Sequence, residues 1–207
     1  MAAAAGNSRQ GFLEAVEQRA PRGRSLSRES IVETALGIVD AEGLDALSMR
    51  RIAQELNTGP ASLYAYVPSK ELLVALVLDR VAADLVLPVP DADHWQQQVR
   101  DFLRQSRNNL AAHNDLARAL LLADLPMLPR QLEAAEAMVA LLRAGGLPDQ
   151  VIACGVDLMR LHAVSSACQQ SRRGGPQAPT VEGFDVGLDV ILAGMTAQAE
   201  RRSSEAR

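Results

Sequence analysis

Residues 51–73, RIAQELNTGPASLYAYVPSKELL, hold two short helical patterns separated only by Asn57, Thr58 and Gly59. A break that short leaves no room for a strand or a domain boundary. It makes the flanking helices cross, as in a helix-turn-helix. The same stretch carries the only two tyrosines of the chain, Tyr64 and Tyr66, although aromatic residues make up just 3% of it. A buried tyrosine needs a partner for its hydroxyl, whereas one set against a phosphate finds it ready-made. Leu63 and Val67, four apart, can face a core, and Ser62, Tyr64 and Tyr66 then project elsewhere.

The flanking sequence supplies the rest of such a unit. Ser27 offers a side-chain cap to a first helix, in which Ile31, Ala35, Leu36, Ile38 and Val39 repeat at helical spacing up to a stop at Gly43. Ser48 caps a second helix running to about Leu56, with Ile52, Ala53 and Leu56 inward. A third runs from Pro60 to Tyr66, because proline is tolerated in a first turn. Ser69 caps a fourth, from Lys70 to about Val86. Beyond the proline-rich LPVPDAD, spacing predicts helices over about 93–111, 114–123, 127–144, 148–171 and 181–202. Nothing alternates with period two, and Ala and Leu dominate the hydrophobic residues, so the expected fold is all-α.

The net charge of −4 looks wrong for a nucleic-acid binder, but the average hides an asymmetry. Residues 1–28 carry five arginines, among them Arg22, Arg24 and Arg28, against Glu14 and Glu17. We read residues 1–26 as a loose basic arm, with a helical turn or two around Phe12–Val16, on an otherwise acidic chain. Glu14 and Glu17 interrupt the apolar residues near the start, against a secretory signal. No uninterrupted apolar run reaches the roughly 20 residues of a membrane span, so no membrane partner and a cytoplasmic location are expected. Cys154 and Cys168 share one helical pattern, which sets them about 21 Å apart and precludes a bond within the chain.

The segment SIVETALGIVDAEGLDALSMRRIAQELNTGPASLYAYVPSKELLVALVLD closely resembles the N-terminal domain of the tetracycline-repressor (TetR) family. The matching marks are A…EG…LS, RRIAQEL and LY.YV.SK..L at fixed spacing. WQQQVRDFLRQSRNNLAAHNDLARAL and AAEAMVALLRAGGL resemble the family's ligand-binding domain more loosely, and come nearest the tetracycline-repressor type. The resemblance implies a three-helix helix-turn-helix domain over residues 27–72. A long helix joins it to a helical effector-binding and dimerisation domain over residues 73–207.

Carried over position by position, the resemblance sets Arg50 where these repressors use an arginine against a guanine edge, a bidentate match. Ser62 falls where a threonine contacts DNA. Tyr64 falls where a tyrosine packs on backbone phosphate, and Tyr66 where a His or Tyr lies near phosphate or a thymine methyl. Lys70, the only lysine in the chain, falls at a phosphate contact. Ser48, Thr58, Gly59 and Pro60 complete this face. Pro60 is a departure: tetracycline repressors read a base there with Gln, and proline offers no side-chain donor. A helical adaptor that has lost specific DNA binding is the alternative reading that Pro60 keeps open.

One helix-turn-helix reads few base pairs, so a homodimer on a palindromic double-stranded operator is expected. The last two helices are its candidates. Leu158, Leu161, Val164, Ser165 and Cys168 fall at helical spacing, and Gly183, Gly187 and Gly194 would admit a close partner helix. The resemblance also implies a small-molecule effector pocket among the middle helices. Candidate walls are Trp95, Phe102, Leu121, Leu122, Met127, Met138, Leu142 and Met159, with His113, Asp157, Arg160 and His162 as polar candidates. The His and Glu residues that hold the magnesium–drug complex in tetracycline repressors correspond here to VAAD, LLLAD and ACQQ. A more apolar effector, with no metal and no cofactor, is therefore expected. Phosphate-loop, C-x-x-C, H-E-x-x-H and G-x-S-x-G motifs are lacking. Asp157, His162 and Ser165 share one helix but point in different directions, so an enzyme is not expected.

Overall fold

The computed structural model describes residues 26–113, 115–122, 125–173 and 181–205. The described residues form nine α-helices and one 3-10 turn. The N-terminal arm, with Arg22 and Arg24, lies outside them, as does most of the RRGGPQAPT separator.

Four helices build the first unit: α1 (Arg28–Glu42), α2 (Met49–Glu55), α3 (Pro60–Tyr64) and α4 (Lys70–Ala82). Serine caps set three of their starts. Ser27 Oγ accepts from Ser30 N–H at 3.1 Å, Ser48 Oγ from Arg51 N–H at 3.1 Å, and Ser69 Oγ from Leu72 N–H at 3.1 Å. Gly43 ends α1 at φ +85, a backbone conformation that suits glycine. A 3-10 turn over Leu44–Ala46, which the spacing does not announce, then tucks Leu47 fully inside. Ile31, Ala35, Val39, Ile52, Leu63, Val67 and Leu73 share one core with no exposure above 0%.

Two of these helices are shorter than their spacing suggests. α3 stops at Tyr64 because Tyr66 and Val67 both donate to the Leu63 carbonyl, tightening the last turn ahead of Pro68. α4 stops at Ala82 rather than Val86. Pro88 and Pro90 bias their predecessors away from helix. Two α5 glutamines also hold the backbone beyond. Gln105 pairs with both polar groups of Val86, and Gln98 bonds the Val89 carbonyl and the Asp91 N–H.

The second unit comprises α5 (Trp95–Ala112), α6 (Leu116–Leu122), α7 (Pro129–Ala144), α8 (Asp149–Arg173) and α9 (Val181–Glu205). Its core gathers Phe102, Leu103, Met138, Leu141, Leu142, Met159, Phe184 and Leu188. The expected boundary at residues 72 and 73 falls inside α4, whose Leu73, Val74, Val77, Leu78 and Val81 all pack into the first core. That core also takes Leu116 and Ala119 from α6, whereas Ala117 of α6 packs with Val164, Ala167 and Cys168 of α8. Arg118 bonds Asp45 at 2.7 Å, and His113 bonds Asp40 at 2.8 Å, across the same seam.

Residues Asp149–Gln170 of α8 have a mean hydropathy of 1.3 and the length to cross a bilayer, which no uninterrupted apolar run in the sequence suggested. Packing against α5, α6, α7 and α9 buries a little under half of that stretch. Cys154 is exposed and Cys168 buried, and both are free thiols.

Candidate nucleic-acid interface and effector cavity

The turn between α2 and α3 is tight for local reasons. Asn57 takes a left-handed φ of +51, and Thr58 N–H returns to the Ala53 carbonyl at 2.9 Å. Gly59 precedes α3 without a side-chain cap, and Pro60 fills the first helical position. With Leu63 and Val67 inside, Pro60, Ser62, Tyr64 and Tyr66 all lie on the outer surface. Tyr64 is 50% exposed and Tyr66 37%, high values for aromatic side chains. Lys70 opens α4 at the same end and is exposed. Arg28 Nε donates to the Tyr66 carbonyl at 3.4 Å and ties the start of α1 to this face.

Neighbouring arginines have opposite situations. Arg51 is locked by Glu42 at 2.7 Å and Glu55 at 2.8 Å, which raise its guanidinium above the usual arginine range. Arg50 is exposed and has no ion-pair partner among the described residues. Ser48, the α2 cap, is half-buried, and its hydroxyl oxygen is committed to Arg51 N–H. Thr58 is half-buried. The exposed set is therefore Arg50, Gly59, Pro60, Ser62, Tyr64, Tyr66 and Lys70.

In the second unit a cavity of about 510 Å³ opens between α4, α5, α7 and α8. This volume is within the usual span for small-molecule sites, roughly 300–1,000 Å³. Leu78, Val81 and Ala82 come from α4, and Phe102, Ser106 and Asn109 from α5. Leu120 of α6 and Leu125, Pro126 and Met127 of the following link add one wall. Gln131 and Met138 of α7 and Asp157, Met159 and Arg160 of α8 close it. Phe102, Met127, Met138, Asp157, Met159 and Arg160 of the candidate walls thus line the cavity.

The other candidates lie elsewhere, each for a visible reason. Trp95 packs on Gly145, where an added Cβ would come within 2.5 Å of the indole. His113 is held by Asp40 at the seam, and Leu122 is 79% exposed. Leu121 is also exposed, and Leu142 is fully buried in the bundle core. His162 stacks on Phe184 at 4.8 Å, and its Nε2–H donates to the Phe184 carbonyl at 2.9 Å. Gly187 makes room for that imidazole, since a Cβ there would meet its ring at 2.4 Å. The close approach at Gly187 is therefore within the chain, whereas nothing comes within 4 Å of a Cβ on Gly194.

Sequence reasoning missed Ser106, Asn109 and Gln131. A signal existed: Phe102, Ser106 and Asn109 are four and then three apart, one face of a helix. Arg107, beside them, was also overlooked. It is 3% exposed, donates to Ser166 at 2.8 Å and lies 5.1 Å over the Phe184 ring. Burial pushes its guanidinium down, and Asp185 partly offsets this.

Residues 31–77 match the family of bacterial regulatory proteins named for tetR, and residues 87–181 match the tetracyclin repressor-like C-terminal domain. The crystal structure of ActR from Streptomyces coelicolor in complex with (S)-DNPA is similar over most of this chain. Identity is 39% and the TM-score 0.76, covering 85% of this chain and all of that one. The chain belongs to the TetR family. ActR in complex with actinorhodin gives 38% identity and a TM-score of 0.77, over 84% of this chain and 97% of ActR. Among curated TetR relatives, the transcriptional repressor DrrR1 of Streptomyces coeruleorubidus is 34% identical over 70% of this chain. The match spans about half of DrrR1, 54% of its length. The class E tetracycline repressor of Escherichia coli is 32% identical over 58% of this chain and 57% of its own length.

Proposed function

We propose that this protein is a dimeric transcriptional repressor that binds a palindromic operator in the cytoplasm and is released from it by a small, largely apolar effector. One observation carries the reading: α4 begins at the DNA-facing surface with Lys70 and ends as a wall of the cavity with Leu78, Val81 and Ala82. A ligand pressing on that wall acts on the helix that sets the recognition surface. In this reading Arg50 reads a base edge. Ser62 and Tyr66 contact bases or backbone, and Tyr64 and Lys70 hold phosphates. Pro60 and Gly59 bring the chain close without a side-chain donor, so base readout is thinner than in the tetracycline repressors. The structures of ActR in complex with (S)-DNPA and with actinorhodin, and the repressor DrrR1, support the same assignment.

The outer face of α8 and α9 is the dimer surface in this proposal. Leu158, Leu161, Val186 and Val190 are each more than half exposed there, and Gly194 lies open beside them. Selection of bound fragments from random DNA by purified protein tests the proposal. The expected product is a palindrome with half-sites spaced about one helical turn or more apart. Featureless, salt-insensitive binding would instead favour a helical adaptor.

A further inference from the structure

The cavity wall contains few polar atoms, and the fold assigns a hydrogen-bonding role to each. Ser106 Oγ–H donates to the Phe102 carbonyl at 2.9 Å, which leaves lone pairs as its free capacity. Asn109 Nδ2–H donates to the Val81 carbonyl at 2.9 Å. That bond fixes the amide's orientation, and Oδ1 has no partner among the described residues. Ser106 and Asn109 stand three apart on α5, so both acceptors share one wall. Gln131 on α7 is the reverse. Its Oε1 accepts from Leu128 N–H at 3.0 Å, and Nε2 has no partner among the described residues. The α5 wall thus asks for a donor, and the α7 wall offers one. The charged lining residues, Asp157 and Arg160, are exposed and opposite in sign, so they leave no net charge at the rim.

We propose that the effector is an uncharged hydroxylated ketone on an apolar ring body. Its hydroxyl shares its one hydrogen between Asn109 Oδ1 and Ser106 Oγ in a three-centre bond, and its carbonyl accepts from Gln131 Nε2. Leu78, Val81, Phe102, Met138 and Met159 enclose the ring body. A ligand lacking the hydroxyl strips water from Asn109 Oδ1 and leaves it unpaired, a loss of roughly tenfold in affinity. A ligand lacking the carbonyl loses a similar factor at Gln131. Because Asn109 Nδ2–H donates to the Val81 carbonyl, the amide group that reads the hydroxyl is tied to α4. This inference rests on the cavity being the effector site of the proposed function.

Titration calorimetry of the full-length protein with the four positional isomers of hydroxyfluorenone tests it. Each isomer is paired with its methyl ether and with the hydroxyfluorene that lacks the carbonyl. The best isomer should bind roughly tenfold tighter than either companion. Asn109→Leu should abolish its advantage over the ether, and Gln131→Leu its advantage over the fluorene. Ser106→Ala, which leaves the bond from Asn109 to Val81 intact, should reduce the first advantage and so guards against a folding defect. Equal binding within each trio, an advantage that survives both variants, or no binding by any isomer overturns the proposal. Operator release is measured separately. Isomers that show the expected selectivity yet leave operator DNA bound would uphold the ligand chemistry and refute the regulatory reading.

Discussion

The helices proposed to face DNA and the cavity walls solve opposite physical problems. α2 and α3 have only 7 and 5 residues, and their outward polar groups stand ready for a partner that is rigid, charged and wet. The space behind them is filled by Ile52, Leu63 and Val67. The long helices of the second unit leave a void at their centre. Polar ties at its edge brace it, among them Asn109 to Val81. Another tie is Asp79 of α4, whose Oδ1 accepts from Arg130 N–H at 2.8 Å and Gln131 N–H at 3.2 Å. Proline opens α7 without an N–H, so a residue far away in sequence caps its first turn. A charged surface needs fixed exposure, whereas a site for an apolar guest needs unfilled space and a frame that resists collapse. α4 serves both.

Four experiments test that contrast, in falling order of effect. Leu63→Ala removes a fully buried side chain behind α3 and should destabilise the first unit by about 2–5 kcal/mol. Chemical denaturation reads this, and a loss below 1 kcal/mol would show that the core there is not close-packed. Arg50→Ala should weaken operator binding by roughly ten- to hundredfold and relax the preference at one base position, with ligand affinity unchanged. Arg51→Ala is the matched control: its guanidinium is held by Glu42 and Glu55, so base preference should stay the same. Deleting residues 1–24 should lower affinity moderately and flatten its dependence on salt, as expected when phosphate contacts are lost. An unchanged slope assigns the arm no contact with DNA. Asp79→Ala should cost about 1 kcal/mol through the orphaned N–H groups of α7. Hydrogen exchange at Arg130 and Gln131 should rise, while α2 and α3 stay protected.

The effector side has its own contrast with the tetracycline repressors. Calorimetry with tetracycline and magnesium should register no metal-dependent heat, since VAAD, LLLAD and ACQQ offer neither His nor Glu. A magnesium-dependent signal would show that other groups replace those anchors.

What could be read from residues alone follows the range of the forces involved. Serine caps at 27, 48 and 69 act over three residues and mark helix starts correctly. The glycine stop at 43 and the inward pair Leu63 and Val67 are similarly local. The end of α4 was misjudged because Gln98 and Gln105, which strap the following segment, lie on another helix. The cavity was harder still. Hydrophobic spacing cannot separate a side chain that fills space from one that borders it, so Trp95, His113, Leu122 and His162 looked equal to Phe102, Met138 and Met159. Only the packed bundle shows that Gly145 and Gly187 draw Trp95 and His162 away. That Arg51 is the ion-paired arginine of the two likewise depends on where Glu42 and Glu55 fall in the fold.

α6 is a short helix claimed by two interiors, with Leu116 and Ala119 in one and Ala117 in the other. A chimaera spliced within α4 to exchange operator specificity would therefore seat a foreign α6 against the grafted head. Shape mismatch at Leu116 or loss of the Arg118 to Asp45 tie would weaken that graft even if every DNA contact were preserved. Heads are exchangeable as modules only when α6 travels with them.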